Sequence, residues 1–170
     1  IIGGGLAGLC NAIHISKLGK KVVLIEKNEY PKHKVCGEYI SNEVLPYLAF
    51  LDVNPFDFGA VQIKTFQLST TKSKLISAKL PLGGFGISRH QLDFVLSEKA
   101  KENGVRILKD SVVNIEFLDN IFSIETKENK KFTSKIAIGA FGKRSLLDVK
   151  MNRKFIQKKA PYLGVKIHVK

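Results

Sequence analysis

The chain has 170 residues, of which 44% are hydrophobic and 25% are charged, and it carries a formal net charge of +13. The hydrophobic content is near that of average globular domains, which excludes a disordered chain, and no apolar run is long enough to span a membrane. The lysines are scattered rather than grouped in a basic tract, so we interpret the charge as a solvating surface and predict no nucleic-acid partner.

The elements predicted along the chain alternate between strands and helices, as in an α/β protein. Gly19 and Gly104 follow periodic apolar segments at the position where glycine ends a helix, and Asp119-Asn120 is typical of a hairpin turn. The predicted elements are a strand tail at 1–2, a helix over 6–18, a strand over 21–26, a loop over 27–40, a helix over 42–51, strands over 61–69 and 74–80, a loop carrying Gly83-Gly84, a helix over 89–103, and strands over 105–108, 111–118, 121–127, 132–139 and 160–170.

Gly3, Gly5 and Gly8 form the pattern G-x-G-x-x-G between the first strand and the first helix. In a dinucleotide-binding unit, the first glycine permits the tight turn and the second lets a pyrophosphate approach the backbone. The third lets the helix pack closely on the sheet. The helix begins at Leu6, and its free N–H groups point toward the anion. This motif therefore predicts a diphosphate-binding turn.

Glu26 ends the second predicted strand, 18 residues after Gly8. An acid at this distance accepts hydrogen bonds from the adenosine ribose hydroxyls in dinucleotide-binding proteins. Its charge disfavours a nucleotide that carries a 2′-phosphate. NAD and FAD share this fingerprint, so the motif by itself leaves both cofactors open.

Three further segments resemble, in order, elements of the geranylgeranyl reductase family, part of the flavoprotein group typified by para-hydroxybenzoate hydroxylase. They are YPKHKVCGEYIS (30–41), GISRHQLDFVLSEKAKENGV (86–105) and KIAIGAFGKRSLL (135–147). The resemblance covers nearly the whole chain and implies FAD as the cofactor, with NAD(P)H as its reductant.

The resemblance also implies roles for particular residues. Ala7 and Glu26 would contact the ADP moiety, Arg89 would reach the diphosphate, and Val113 would contact the adenine through its backbone. Cys36 and Gly37 would line the flavin side. The complete set of expected cofactor-binding residues is Gly3, Gly5, Leu6, Ala7, Gly8, Glu26, Lys27, Cys36, Gly37, Arg89, Val113, Gly139 and Gly142. No catalytic residue can be named, and the histidines and cysteines have no metal-ligand spacing.

Two positions depart from the family pattern. Phe141 stands where relatives carry an aspartate that touches the ribose and pyrophosphate, so that contact is lost or replaced by packing. Tyr39 stands where many relatives carry a glycine, which predicts a more crowded surface beside the flavin.

The predicted fold is α/β, a Rossmann-like FAD/NAD(P)-binding domain with a β-meander crossover, plus the first strands of an antiparallel substrate-domain sheet. We expect residues 1–58 and 84–150 to form the cofactor domain, and 59–83 and 151–170 to begin the substrate domain. Both ends of the sequence interrupt a predicted strand, so we expect a piece of a longer chain. Two cysteines make no disulfide framework, which favours a reducing cytoplasm.

The predicted function is that of an FAD-dependent oxidoreductase. It would act either as an alkene reductase of geranylgeranyl reductase type or as an aromatic monooxygenase, on a lipid-like or aromatic small molecule, with peripheral membrane contact left open. A dehydrogenase that uses only NAD(P) is one alternative. A module that binds a dinucleotide or nucleic acid without catalysis is the other.

Overall fold

A computed structural model of the protein describes residues 1–36, 38–142, 145–157 and 162. The helices are α1 (Leu6–Lys17), α2 (Leu45–Phe50), α3 (Arg89–Glu102) and α4 (Leu146–Lys150), with short 3₁₀ turns at Asn42–Val44, Pro55–Phe58 and Lys154–Gln157. The strands are β1 (Val23–Glu26), β2 (Tyr39–Ser41), β3 (Val61–Ser69), β4 (Leu75–Gly86), β5 (Arg106–Lys109), β6 (Val112–Leu118), β7 (Ile121–Thr126) and β8 (Lys131–Ser134).

A parallel sheet lies at the centre of the protein. Strands β1 and β5 pair in parallel, and Ile2 bridges both Ile25 and Gly139 in the same direction. The first segment of the chain therefore lies between β1 and the segment at Gly139. Because the carboxyl ends of parallel strands meet at one edge, the turn after Ile2 and the acid ending β1 lie side by side.

Alternate residues of β1 enter two different cores, because successive side chains of a strand point to opposite faces. Leu24 packs in a cluster with Leu9 of α1 and Leu96 of α3. Ile25 packs with Ile2 in a second cluster on the other face. Helices therefore cover one face of the sheet.

The other face is covered by an antiparallel meander of β6, β7 and β8. Its Ile124 packs against Ile2 and Ile25, together with Leu147 of α4. Asp119 and Asn120 join β6 to β7 and both adopt positive φ, at 50° and 61°, as a two-residue hairpin loop requires. The predicted meander crossover and its turn are confirmed.

The prediction of a loop at Gly83-Gly84 was wrong. Strand β4 continues to Gly86 and pairs with β2 on one side and β3 on the other. Gly84 is needed because the ring of Tyr39 lies where its side chain would be. The Tyr39 hydroxyl also donates to the Gly83 carbonyl oxygen over 3.2 Å. Glycines that indicate a turn in the sequence here make room for a neighbouring strand.

Two other predicted elements differ from the structure. The strand predicted over 132–139 stops at Ser134, whose hydroxyl donates to the Ile136 carbonyl oxygen over 2.7 Å, and Gly139 joins the central sheet separately. The helix predicted over 42–51 divides into a 3₁₀ turn capped by Ser41 and α2. The strand predicted over 160–170 lies outside the described residues except for Tyr162. None of the helices in the described ranges is long and apolar enough to cross a membrane.

The hairpin of β3 and β4 has many exposed apolar side chains. The exposed apolar residues on these strands are Val61, Phe66, Leu68, Leu75, Ile76 and Leu82. Strand β4 runs through residue 84, where the sequence analysis put the boundary between two domains.

Gly8→Ala tests how closely α1 lies on the turn that precedes it. A β-carbon on Gly8 would overlap the Gly3 carbonyl oxygen, which is backbone and cannot swing aside. We expect the free energy of unfolding to fall by roughly 1–3 kcal/mol, measured by urea denaturation. Gly5→Ala is the matched control, because its β-carbon would meet only lysine and arginine side-chain atoms at 3.4 and 3.8 Å. That change should cost less than about 1 kcal/mol. Equal losses in both variants would contradict the close packing.

Candidate functional site

The turn that contains Gly3, Gly5 and Gly8 leaves the backbone of Gly5 accessible. Gly3 adopts a φ of 101°, which only glycine tolerates easily, and its N–H donates to the Ile25 carbonyl oxygen over 2.9 Å. Gly5 is the N-cap residue of α1 and has no side chain to occupy the helix end. The first amides of an α-helix have no acceptor inside the helix. Backbone donors and the positive end of the helix dipole therefore meet above Gly5.

Two cationic side chains stand over Gly5. A β-carbon placed on this residue would lie 3.4 Å from Lys34 Nζ and 3.8 Å from Arg89 Nη2. Lys34 belongs to the segment between β1 and β2, and Arg89 is the first residue of α3. Three separate parts of the chain thus bring positive charge to one backbone position.

Arg89 is held in place by Asp93, one turn further along α3. Its Nε and Nη2 donate to the two carboxylate oxygens over 2.8 and 2.9 Å, and Asp93 is completely buried. Burial by itself lowers the pKa of Arg89, but the hydrogen bonds and charge attraction of Asp93 and Cys36 together outweigh it and raise the pKa. Cys36 also interacts with the guanidinium. Arg89 is therefore a fixed, permanently charged group beside the glycine turn.

Glu26 is buried at the end of β1 and joins that strand to the glycine turn. Its Oε2 accepts from the Gly4 N–H over 2.7 Å, and its Oε1 accepts from the backbone and side-chain N–H groups of Asn28 over 2.9 and 3.0 Å. Lys32 Nζ lies 2.7 Å from Oε1. Burial tends to raise the pKa of Glu26, but the hydrogen bonds from Lys32, Asn28 and Gly4 outweigh it and lower the pKa. The carboxylate is therefore ionised.

A pocket of about 350 Å³ opens beside Gly3 and Glu26. Lys27, Val113 and Phe141 also line it. The Phe141 ring packs into the core cluster of the meander face, and a β-carbon on Gly139 would lie 2.9 Å from that ring. Phe141 therefore forms an apolar wall of the pocket, and Gly139 gives its ring room.

The structure brings together most of the residues expected at the site. Gly3, Glu26, Lys27 and Val113 line one pocket. Arg89 lies over Gly5 and interacts with Cys36. Leu6 packs against the core beside α1.

The other expected residues are placed differently. Ala7 is exposed on the first turn of α1, and Gly142 is exposed with a φ of 72°. The Val113 carbonyl oxygen accepts a hydrogen bond from Lys150 Nζ over 2.9 Å, so an adenine that used this oxygen would share it with Lys150. Gly37 lies outside the described residues.

Three residues of the site were missed by the sequence analysis, namely Lys32, Lys34 and Asp93. The spacing of Asp93 four residues after Arg89 on a predicted helix was an available signal. Lys32 and Lys34 lie in a loop, where no periodicity indicates which way a side chain points.

Comparisons with known proteins agree with this geometry. Residues 1–66 match the family of NAD(P)-binding Rossmann-like domains. The flavin-dependent halogenase rdc2 of Metacordyceps chlamydosporia is 30% identical over 120 residues, which are 69% of this chain and 23% of that protein. The flavin-dependent halogenase armH4 of Armillaria mellea is 25% identical over 181 residues, covering 91% of this chain and 34% of the relative.

Solved structures of low identity share the fold. The halogenase PltM in complex with phloroglucinol and FAD is 18% identical, with a TM-score of 0.72 over 89% of this chain and 35% of that one. The Diels–Alderase PyrE3 is 19% identical, with a TM-score of 0.71 over 89% and 33%. The chain thus has a Rossmann-like α/β fold with added antiparallel sheets, and spans about a third or less of the length of these proteins.

Glu26→Gln tests the charge of the buried carboxylate. Because the pKa of Glu26 is lowered in the folded protein, its charge stabilises the fold above its ordinary pKa of 4.5, and this contribution is lost as the pH falls through the folded value. We expect wild type to be more stable than the variant near pH 7, and the difference to shrink below pH 4.5. Urea denaturation across this range measures it. A difference that stays constant with pH would show that these contacts do not lower the pKa of Glu26.

Proposed function

We propose that this chain is the nucleotide-binding part of an FAD-dependent oxidoreductase and holds the ADP half of FAD against its glycine turn. The observation that carries the proposal is the meeting of Lys34, Arg89 and the N-terminus of α1 over the bare backbone of Gly5. A diphosphate is the anion that such a combination of backbone donors and fixed cations binds well.

The residues present fit each portion of the ADP group. The diphosphate would lie at Gly5 beside Arg89 and Lys34. The ribose hydroxyls would reach Glu26, whose Oε2 accepts a single hydrogen bond, from Gly4, among the described residues. The adenine would enter the pocket lined by Val113 and Phe141. The geometry offers no role for the exposed Gly142.

The chemistry of such an enzyme belongs to the isoalloxazine ring of FAD, which transfers electrons between a reductant and the substrate. The residues of this chain bind and orient the nucleotide end. Arg89, fixed by Asp93, neutralises phosphate charge. Glu26 fixes the sugar, and the glycines admit the backbone contact.

The relatives and structural neighbours of this chain favour FAD over a nicotinamide cofactor. The curated relatives are named as flavin-dependent enzymes, and one structural neighbour is described as a complex with FAD. NAD(P)H is proposed as the reductant. Bleaching of the flavin absorbance by NADPH or NADH under anaerobic conditions supports this, and a flavin reduced only by dithionite contradicts it.

Between the two reaction types, we favour oxidation of an aromatic small molecule over alkene reduction. The support is that rdc2 and armH4 are named as halogenases and that the PltM complex contains phloroglucinol. Oxygen consumption by the reduced complete protein, increased by an electron-rich phenol, supports the oxidative type. Anaerobic reoxidation by a polyprenyl alkene supports the reductase type.

The proposal also includes a division into two domains and a cytoplasmic location. The exposed apolar hairpin of β3 and β4 supports a second, substrate-binding domain that begins near residue 59. Cys10 and Cys36 are both unpaired thiols, which is compatible with a reducing cytoplasm.

Gly5→Ala in the complete protein tests the diphosphate position. The added methyl group would fill the space that the diphosphate needs while leaving the fold intact, because it would lie 3.4 Å from the end of the Lys34 side chain and at an ordinary contact distance of 3.8 Å from Arg89. We expect FAD affinity to fall by at least about tenfold, or 1.4 kcal/mol, measured by fluorescence titration of flavin-free protein. Unchanged affinity would contradict the position. A wild-type protein that binds NAD(H) but no FAD would favour the nicotinamide-only alternative.

A further inference from the structure

Gly4 is buried in the glycine turn, and both of its polar backbone groups are bound by side chains. Its N–H donates to Glu26 Oε2 over 2.7 Å, and its carbonyl oxygen accepts from the Tyr30 hydroxyl over 2.6 Å. The first bond holds the peptide unit between Gly3 and Gly4, and the second holds the unit between Gly4 and Gly5. The segment that ends β1 therefore fixes two consecutive peptide units of the turn.

The turn is built around the Tyr30 hydroxyl. A β-carbon on Gly4 would lie 1.9 Å from this oxygen and 2.9 Å from Glu26 Cβ, so a larger residue there would displace Tyr30. The Tyr30 ring packs against the core cluster on the helix face of the sheet. Burial and the charges of Glu26 and Asp93 raise the pKa of Tyr30. The hydroxyl is therefore held in place and remains a donor at neutral pH.

The bond from Tyr30 also sets the direction of the Gly5 N–H. The peptide unit between Gly4 and Gly5 is trans, and the C=O and N–H of a trans unit point in opposite directions. With the oxygen directed at Tyr30, the Gly5 N–H points away from it. Gly5 is partly exposed, and in the part of the chain that the structure describes its N–H has no hydrogen-bond acceptor. This donor is therefore free for a ligand.

The direction of this peptide unit needs to be held, because glycines flank it on both sides. Neither Gly4 nor Gly5 has a β-carbon, so the unit between them can reverse with little steric cost. Reversal would turn the Gly4 carbonyl oxygen toward the side that the Gly5 N–H now faces, and an oxygen there would repel a phosphate. The Tyr30 hydroxyl opposes the reversal because it would lose its acceptor.

We propose that Tyr30 is a positioning residue of the nucleotide site and keeps the Gly5 N–H directed at the diphosphate. The inference rests on the proposed function and adds to that site a side chain that acts through the backbone. Glu26 and Tyr30 then divide the work between two peptide units. Glu26 joins the first unit to sugar binding, and Tyr30 directs the amide of the second toward the phosphates.

Tyr30→Phe tests this role, because it removes the hydroxyl and keeps the ring. Calorimetric titration of the flavin-free complete protein compares ADP with adenosine, which lacks the phosphates. We expect ADP binding to weaken by about tenfold and adenosine binding to change by less than about twofold. Tyr47→Phe is the matched control, because it also removes one hydroxyl, 3.2 Å from His14 Nδ1 on α1, and should change neither affinity. Unchanged ADP affinity in Tyr30→Phe, or equal losses for both ligands, would overturn the proposal.

A second measurement uses wild-type protein and so does not depend on how well the variant folds. If the Gly5 N–H donates to a phosphate, ADP should slow the hydrogen exchange of this amide by at least about tenfold more than adenosine does. NMR of protein labelled with ¹⁵N-glycine follows that exchange. Equal exchange with the two ligands bound would overturn the proposal. Wild-type protein that binds no adenine nucleotide would overturn the proposed function, on which the role of Tyr30 depends.

Discussion

The hydrogen bond from the Gly4 N–H to Glu26 Oε2, 2.7 Å long, ties the two halves of the candidate site together. It joins the turn after the first strand segment to the end of β1, two points 22 residues apart in the sequence. It forms because Ile2 lies next to Ile25 in a parallel sheet, so both carboxyl ends meet at one edge. It fixes the sugar-binding acid relative to the amides that face the phosphates.

Around this bond, the buried carboxylates of Asp93 and Glu26 each have donors in position. Asp93 receives both hydrogen bonds of Arg89, and Glu26 receives those of Gly4 and Asn28. The side chains of Lys34 and Arg89 bring positive charge to Gly5 in the same region. Because the acids are already satisfied by other donors, the positive charge at Gly5 favours an anion there, and this electrostatic asymmetry supports a nucleotide site more strongly than the glycine pattern does.

The parts of the site that the sequence predicted are those encoded locally. The spacing of Gly3, Gly5 and Gly8 determines a backbone path, and the position of Glu26 follows from the length of one helix and one strand. Arg89 was predicted from the resemblance, and the structure supplied its partner Asp93. Lys32 and Lys34 could not be predicted, because their directions depend on how the segment between β1 and β2 folds back over the turn.

The fold shows the same limit at Gly83-Gly84. Two consecutive glycines favour a turn, yet the ring of Tyr39 takes the space above Gly84 and β4 continues. The unusual Tyr39 and Phe141 each lie against a glycine that accommodates the ring, Gly84 and Gly139 respectively. Such pairs are tertiary complementarity and leave no periodic signal.

The most direct test of the central claim is a crystal structure of the complete protein grown with FAD. The account predicts the diphosphate within hydrogen-bonding distance of the backbone N–H groups that begin α1, with the guanidinium of Arg89 on its oxygens and the ribose on Glu26. A dinucleotide bound away from Gly5, or a glycine turn closed over by Lys34 and Arg89 with FAD bound elsewhere, would contradict it.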